Sequence, residues 1–112
     1  MDSSYYKSKD VLVVILEESD RKNSDFGMEL QKVVLDFELH KIVIDIGKLE
    51  FILSKDIEWL ERFVDFFKIG NISSILCGFT VSNASMIFNF VDEVSFKTAL
   101  NIEDALHAHR DK

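Results

Sequence analysis

The stretch from Lys41 to Gly70, KIVIDIGKLEFILSKDIEWLERFVDFFKIG, leaves few choices for the fold. Ile42, Val43, Ile44, Asp45 and Ile46 form a β-branched run of the kind a buried strand requires. Gly47 interrupts it, and Leu49 to Leu53 is apolar again apart from Glu50. After Ser54 come about four turns of strongly periodic sequence that stop at Gly70. A serine at that point is an N-cap candidate, because its hydroxyl can accept from the unpaired amides of a first turn. The same place, with its free N–H groups and the positive end of the helix dipole, favours a negative charge. Ser54 is therefore either a plain cap or a position for a phosphate.

The flanking segments repeat the alternation of strand and helix. Residues 3–7 form a short first strand, and Val11 to Leu16 (VLVVIL) is a strand apolar on both faces and so central in its sheet. Glu17 to Asn23 is a polar connection, after which Asn23 or Ser24 caps a helix with Phe26, Leu30, Val33, Val34 and Phe37 on one face. His40 and Lys41 stand at its C-terminal end. Beyond the central helix, Ile72 to Cys77 is a further strand and Gly78 to Ser82 a loop. Ser82 or Asn83 then caps a helix bearing Ala84, Ile87, Phe88 and Val91. Val94, Phe96 and Thr98 alternate as a short edge strand, and Asn101 with Asp104 resembles a capping box. The closing helix buries Ile102, Ala105 and Leu106 and leaves His107, His109 and Arg110 near its end. This order predicts an α/β layer structure with a partly parallel sheet, a single domain over residues 1–112.

Two helices are apolar beyond what one sheet covers. On a wheel of roughly 100° per residue, Ile57, Leu60, Val64 and Phe67 make the core stripe of the central helix. Trp59, Phe63 and Phe66 widen that stripe to about half the circumference. Met86 and Phe90 flank the stripe of the following helix. These side chains either pack against a neighbouring helix of the same layer or form a protein–protein surface.

Charge excludes some functions. The chain carries 13 Lys and Arg against 20 Asp and Glu, a net charge of −7. Residues 1–40 hold five basic against nine acidic side chains, residues 41–70 five against six, and residues 71–112 three against five. No block is basic, which argues against a nucleic-acid partner. The longest unbroken apolar run, Val11 to Leu16, is far too short for membrane insertion, and no secretory signal stands at the start. One cysteine fits a reducing compartment, so a cytoplasmic protein is expected.

Little catalytic chemistry is on offer. His107 and His109 are two apart and point to different helical faces, with His40 distant, so no metal site is expected. Cys77 ends an apolar strand, where it is a small buried hydrophobe or, at the C-terminal end of a parallel strand, a reactive thiol. Nucleophile-elbow and nucleotide-cradling motifs are absent, and no cofactor is implied. Thr80 and Ser82 face the same end of the sheet as Ser54 and line a partner-binding rim.

The segment VIDIGKLEFILS followed by an aromatic-rich helix resembles the STAS domain, the fold of anti-sigma-factor antagonists. Val43-Ile44-Asp45-Ile46 matches its hydrophobic strand with an internal Asp, and Leu53-Ser54 matches in part the Asp-Ser or Asp-Thr at the start of its second helix. Gly78-Phe79 with Ala84, then Thr98-Ala99-Leu100 before Ile102-Glu103-Asp104-Ala105-Leu106, extend the likeness from about Val11 to His107, closest to the single-domain stressosome members. The resemblance implies a mixed sheet of four or five strands with about four helices, and binding in place of catalysis. It implies phosphorylation at Ser54 by a serine kinase, with an anti-sigma factor, that kinase or other STAS proteins as partners in stress-response transcription regulation. The partner surface then comprises Ser54, Lys55, Asp56, Trp59, Phe63, Phe79, Thr80, Ser82, Met86 and Phe90, and a homo-oligomer is allowed. The chain departs from the pattern at Leu53, where the family has Asp, at Lys55-Asp56, where it has small residues, and at Val81, where it has Pro. A non-phosphorylated scaffold or subunit, stressosome-like or transporter-associated, is the alternative, with a small Cys77-dependent enzyme behind it.

Overall fold

A computed structural model describes residues 1–88 and 97–110, and the side chains of 86–88 are left out of the description. Strands β1 (Ser4–Ser8) and β2 (Val11–Ile15) form a hairpin whose tight turn places Lys9 at φ 55°. A 3-10 helix (Glu18–Lys22) and α1 (Phe26–Asp36) lead to β3 (Lys41–Asp45). Then follow α2 (Ser54–Ile69), β4 (Ser73–Cys77), α3 (Val81–Phe88), β5 (Lys97–Thr98) and α4 (Ile102–Arg110). The sheet runs β1-β2-β3-β4-β5, with β1 antiparallel to β2 and every other pair parallel. β3 is thus the central strand, with β2 an interior strand beside it.

The register explains why the strands read as unbroken apolar runs. Val13 lies beside Val43 and Val43 beside Ile75, whereas Val14 lies beside Ile44 and Ile44 beside Leu76. One face carries Leu12, Val14, Ile42, Ile44 and Leu76 against Phe26, Leu30 and Val34 of α1 and Leu60, Val64 and Phe67 of α2. The other carries Val11, Val13, Val43, Ile75 and Cys77 against Ala105, with Ile102 and Leu106 packed alongside. Parallel strands joined by same-handed crossovers in sequential order put α1 and α2 on one side. α4 closes the opposite side, so consecutive residues of β2, β3 and β4 are buried, whichever face they point to.

The widened apolar arc of α2 is explained by α1. Phe63 is buried, with its ring centroid 5.6 Å from Phe26 and 5.7 Å from Phe67. Trp59 is half-buried, 5.5 Å from Phe26 and 5.1 Å from Phe63 in an edge-on arrangement. Phe66 keeps 37% of its surface exposed. Most of the arc is therefore helix-to-helix packing within one layer.

Several helix ends differ from the sequence expectation. Asp25, not Asn23 or Ser24, stands at the N-cap of α1, while the Asn23 side chain accepts the Asp25 amide at 3.0 Å. α1 ends at Asp36, so His40 and Lys41 lie beyond it and Lys41 opens β3. Thr80, not Ser82 or Asn83, caps α3 by accepting the Asn83 amide at 3.2 Å. Asn101 does cap α4, taking the Asp104 amide at 2.8 Å. His109 is fully buried, its Nε2 2.8 Å from the Ile42 carbonyl oxygen, and so anchors the end of α4 to the central strand. Thr98 lies in β5, while Val91, Val94 and Phe96 fall outside the described residues.

The two aromatic environments predict different costs. Phe63→Ala removes a ring from the α1–α2 seam and should destabilise the fold by about 3–5 kcal/mol. Phe66→Ala, at a partly exposed position, should cost under about 1.5 kcal/mol. Urea unfolding of the two variants checks the contrast, and equal losses would contradict it.

Candidate functional site

Three connections leave the C-terminal ends of β2, β3 and β4 and meet at one end of the sheet: the 3-10 helix, residues 46–53, and residues 78–80. Parallel strands bring such loops together because each chain must leave the sheet at the same edge. The Ile46 amide donates to the Cys77 carbonyl at 3.0 Å and the Gly78 amide to the Leu100 carbonyl at 3.2 Å. Asp45 Oδ1 accepts the Gly47 amide at 2.8 Å. Gly78 lies at φ 84°, and a Cβ there would fall 2.1 Å from that same oxygen, so only glycine fits.

Residues 46–53 are gripped from both flanks. On one side Lys48 pairs with Glu17 at 2.7 Å and the Glu50 amide donates to Glu18 Oε1 at 2.7 Å. Arg21 donates to the Phe51 carbonyl at 2.5 Å and to Asp56 at 3.0 Å, and also pairs with Glu18. The Arg21 hydrogen bond, with the Glu50 amide, holds the Glu18 carboxyl below its ordinary range. On the other side buried Asn83 accepts the Ile52 amide and donates to the Leu49 carbonyl, both at 3.0 Å. The 3-10 helix is itself tied down by buried Asp20, which accepts the Asp2 and Glu17 amides at 2.9 Å and the Ser3 hydroxyl.

This frame sets the start of α2. The N-cap is Leu53, and Ser54 occupies the first helical position with an exposed side chain. Asp56, three residues into the helix, accepts the Leu53 amide at 2.9 Å. The expectation that the Ser54 hydroxyl caps the helix is therefore corrected: Leu53 is the N-cap, its own amide is taken by the Asp56 carboxylate, no side chain takes a first-turn amide, and Ser54 is left at solvent.

The other expected site residues divide. Lys55 is exposed beside Ser54, and Ser82 is exposed on the first turn of α3. Asp56 and Phe63 are buried, the first by Arg21 and the Leu53 amide and the second by the aromatic seam, so neither offers a free surface. Trp59 and Phe79 are half-buried against the larger core, and Thr80 is exposed and occupied as a cap. Met86 lies in α3 with its side chain outside the description, and Phe90 lies outside the described residues. Sequence reasoning missed an apolar rim at this end: Phe51, Leu53, Val81 and Leu100 are all exposed, Val81 at 90%. Leu53 and Val81 stand where the resembled pattern has Asp and Pro, and that substitution of apolar for polar or rigid residues was the available signal. The roles of Arg21 and Asn83 in this frame carried no signal, since they depend on the Phe51 carbonyl, the Asp56 carboxylate and the Ile52 and Leu49 main chain, all remote in sequence.

Cys77 lies in the second core, and burial, reinforced by the Asp45 charge, pushes its thiol up to about 12. At neutral pH it is a protonated, enclosed thiol and not a nucleophile. Among the described residues no group of three or more metal-ligating side chains is gathered. No described helix is long and apolar enough to cross a membrane.

Solved structures share this architecture. Moorella thermoacetica RsbS, determined as a serine-to-glutamate variant, superposes with a TM-score of 0.78 at 22% identity, over 99% of this chain and 97% of its own. A chain from the molecular architecture of the stressosome, a signal integration and transduction hub, gives 0.72 at 22% identity over 96% of each chain. The anti-sigma factor antagonist SpoIIAA in its unphosphorylated form gives 0.65 at 11% identity over 98% and 99%. This is the STAS fold. No family model and no curated protein matches the sequence. Among the described residues, the five-stranded mixed sheet with four α-helices agrees with what the resemblance implied, and Ser54 opens α2.

Two outcomes follow from this geometry. Asp56→Ala should destabilise by about 2 kcal/mol, through a lost cap and an unanswered Arg21, whereas Ser54→Ala should cost under about 0.5 kcal/mol. Denaturant midpoints of both variants measure the difference. The Cys77 thiol should resist a thiol-reactive disulfide reagent at pH 8 until the protein is unfolded; rapid native-state reaction would show an open site.

Proposed function

We propose that this protein is a regulatory binding module of the anti-sigma-factor-antagonist type, whose choice of protein partner is switched by phosphorylation at Ser54. The observation that carries this reading is the placement of Ser54: exposed, at the first position of α2, and not consumed as the cap. A phosphate adds about −1.5 to −2 charges and three acceptor oxygens. At a helix N-terminus the free amides stabilise that charge, so the domain stays folded while its surface changes sign. The exposed rim of Phe51, Leu53, Val81 and Leu100 supplies the apolar contact that a protein partner covers. The partners are an anti-sigma factor or serine kinase, or other STAS proteins, and the activity is binding without chemistry on a substrate. A cytoplasmic setting belongs to the same reading.

Leu53 favours a second reading, a scaffold subunit that docks constitutively. It puts an apolar side chain, about half exposed, immediately before Ser54. In that case the same rim is a permanent contact and Ser54 is unmodified.

Mass spectrometry of the protein recovered from its own cells, before and after stress, tests the switch. One phosphate mapped to Ser54 is expected, absent in Ser54→Ala, with Ser54→Glu reproducing the altered set of co-purified partners. A phosphate on another residue, or none under either condition, would remove the switch and leave the scaffold. Because Ser54→Ala leaves the cap intact, any loss it causes reports on regulation and not on folding.

A further inference from the structure

A groove of about 500 Å³ opens between the 3-10 helix, residues 51–53 and the first turns of α2. Its apolar floor is Phe51, Leu53 and Trp59, and Phe51 is 69% exposed. A second groove of about 280 Å³ lies between α1 and α2, walled by Met28, Phe63 and Phe66. Trp59 and Arg62 line both, so the two lie side by side along α2, and together they make a channel-like surface from Leu53 to Phe66, about 20 Å long.

The charge of this channel runs against that of the chain. The whole protein is at −7, yet the first groove carries Arg21, Lys22, Lys55 and Arg62 against Glu18, Asp56 and Glu58. Arg21 pairs with both Glu18 and Asp56, a triad that keeps one negative charge. The remaining acidic side chain, Glu58, is 3.9 Å from Arg62 at an exposed position, a pair of little worth. The second groove adds no further carboxylate. Four cations against three carboxylates leave the first groove at +1, the excess carried by Lys22 and Lys55, on a molecule at −7 overall.

We propose that this channel is the docking site for an acidic, amphipathic helical segment of a partner protein. Its apolar face would lie on Trp59, Phe51 and Leu53, and its carboxylates would meet Lys22, Lys55 and Arg62. A helix of about 14 residues matches the channel length, and helix-in-groove recognition reads such anchors at helical spacing. Complementary charge supplies the orientation and selects against basic segments. The proposal deepens the partner-binding reading and rests on it. Ser54 lies between two residues of the channel, Leu53 and Lys55, so a phosphate there would place negative charge at its mouth and disfavour an acidic occupant.

Trp59 is the single tryptophan and reports on the channel directly. The full-length protein is titrated with two synthetic helical peptides of about 14 residues that share Leu and Phe anchors, one carrying Glu and the other Lys on the polar face. Vesicles of phosphatidylglycerol form a third arm. The Glu peptide should shift Trp59 emission saturably, and added salt should weaken it. The Lys22→Glu/Lys55→Glu double variant, checked for folding by circular dichroism, should bind it at least about tenfold more weakly, a change of about 1.4 kcal/mol. The Lys peptide should bind the wild-type protein at least about tenfold more weakly as well. Absence of a saturable shift, equal binding of the two peptides, equal binding by the double variant, or vesicle binding in place of peptide binding would each overturn the proposal. Failure here with a phosphate still found on Ser54 removes the channel and leaves the switch. Peptide binding with Ser54 unmodified in cells removes the switch and leaves the channel.

Discussion

Arg21 reaches from the 3-10 helix to the Phe51 carbonyl and the Asp56 carboxylate, and that reach holds the head of α2 in place. Asp56 then has two tasks, as the partner of a largely enclosed guanidinium and as the acceptor of the Leu53 amide. A charge-assisted contact of this kind is stronger and more directional than a neutral one. Opposite it, Asn83 binds two main-chain groups of the same connection. Residues 46–53 lack regular structure, yet their backbone groups are answered from both flanks, which gives the loop a defined shape. The phosphate proposed at Ser54 would add charge to this frame without removing any of these contacts.

The sheet beneath makes that frame possible. Sequential order of the parallel strands delivers the 3-10 helix, residues 46–53 and residues 78–80 to one edge. The Asp45 and Gly78 contact brings the ends of β3 and β4 together closely enough to exclude a side chain. Both faces of β3 are buried, and His109 ties α4 to it from the far side. The centre is enclosed on both faces, and exposure is concentrated at one end.

Much of this was legible in the residues. The alternation of apolar runs and periodic segments places the strands and helices because periods of 2 and 3.6 follow from backbone geometry alone. The breadth of the α2 stripe left open a second helix in the same layer or a protein–protein surface, and α1, through Phe26, supplies the first for most of it. Helix ends were less legible. Ser54, Asn23 and Ser82 all have the side chain of a cap, but Asp56, Asp25 and Thr80 lie close enough in sequence to compete. Which one wins depends on how the preceding loop enters the helix, and that is decided by Arg21 in one case and by Gly78 and Asn83 in another.

By itself the sequence determined the layer order, the strand and helix content, the acidic surface and the presence of a serine at the head of the second helix. These rest on local periodicity and composition, which need no knowledge of what packs where. Only the tertiary structure decided that Ser54 is free, that Asp56, Phe63 and Cys77 are enclosed, and that Phe51, Leu53, Val81 and Leu100 share one exposed end. Each of those depends on contacts between residues far apart along the chain, and burial and electrostatic environment exist only once those contacts form.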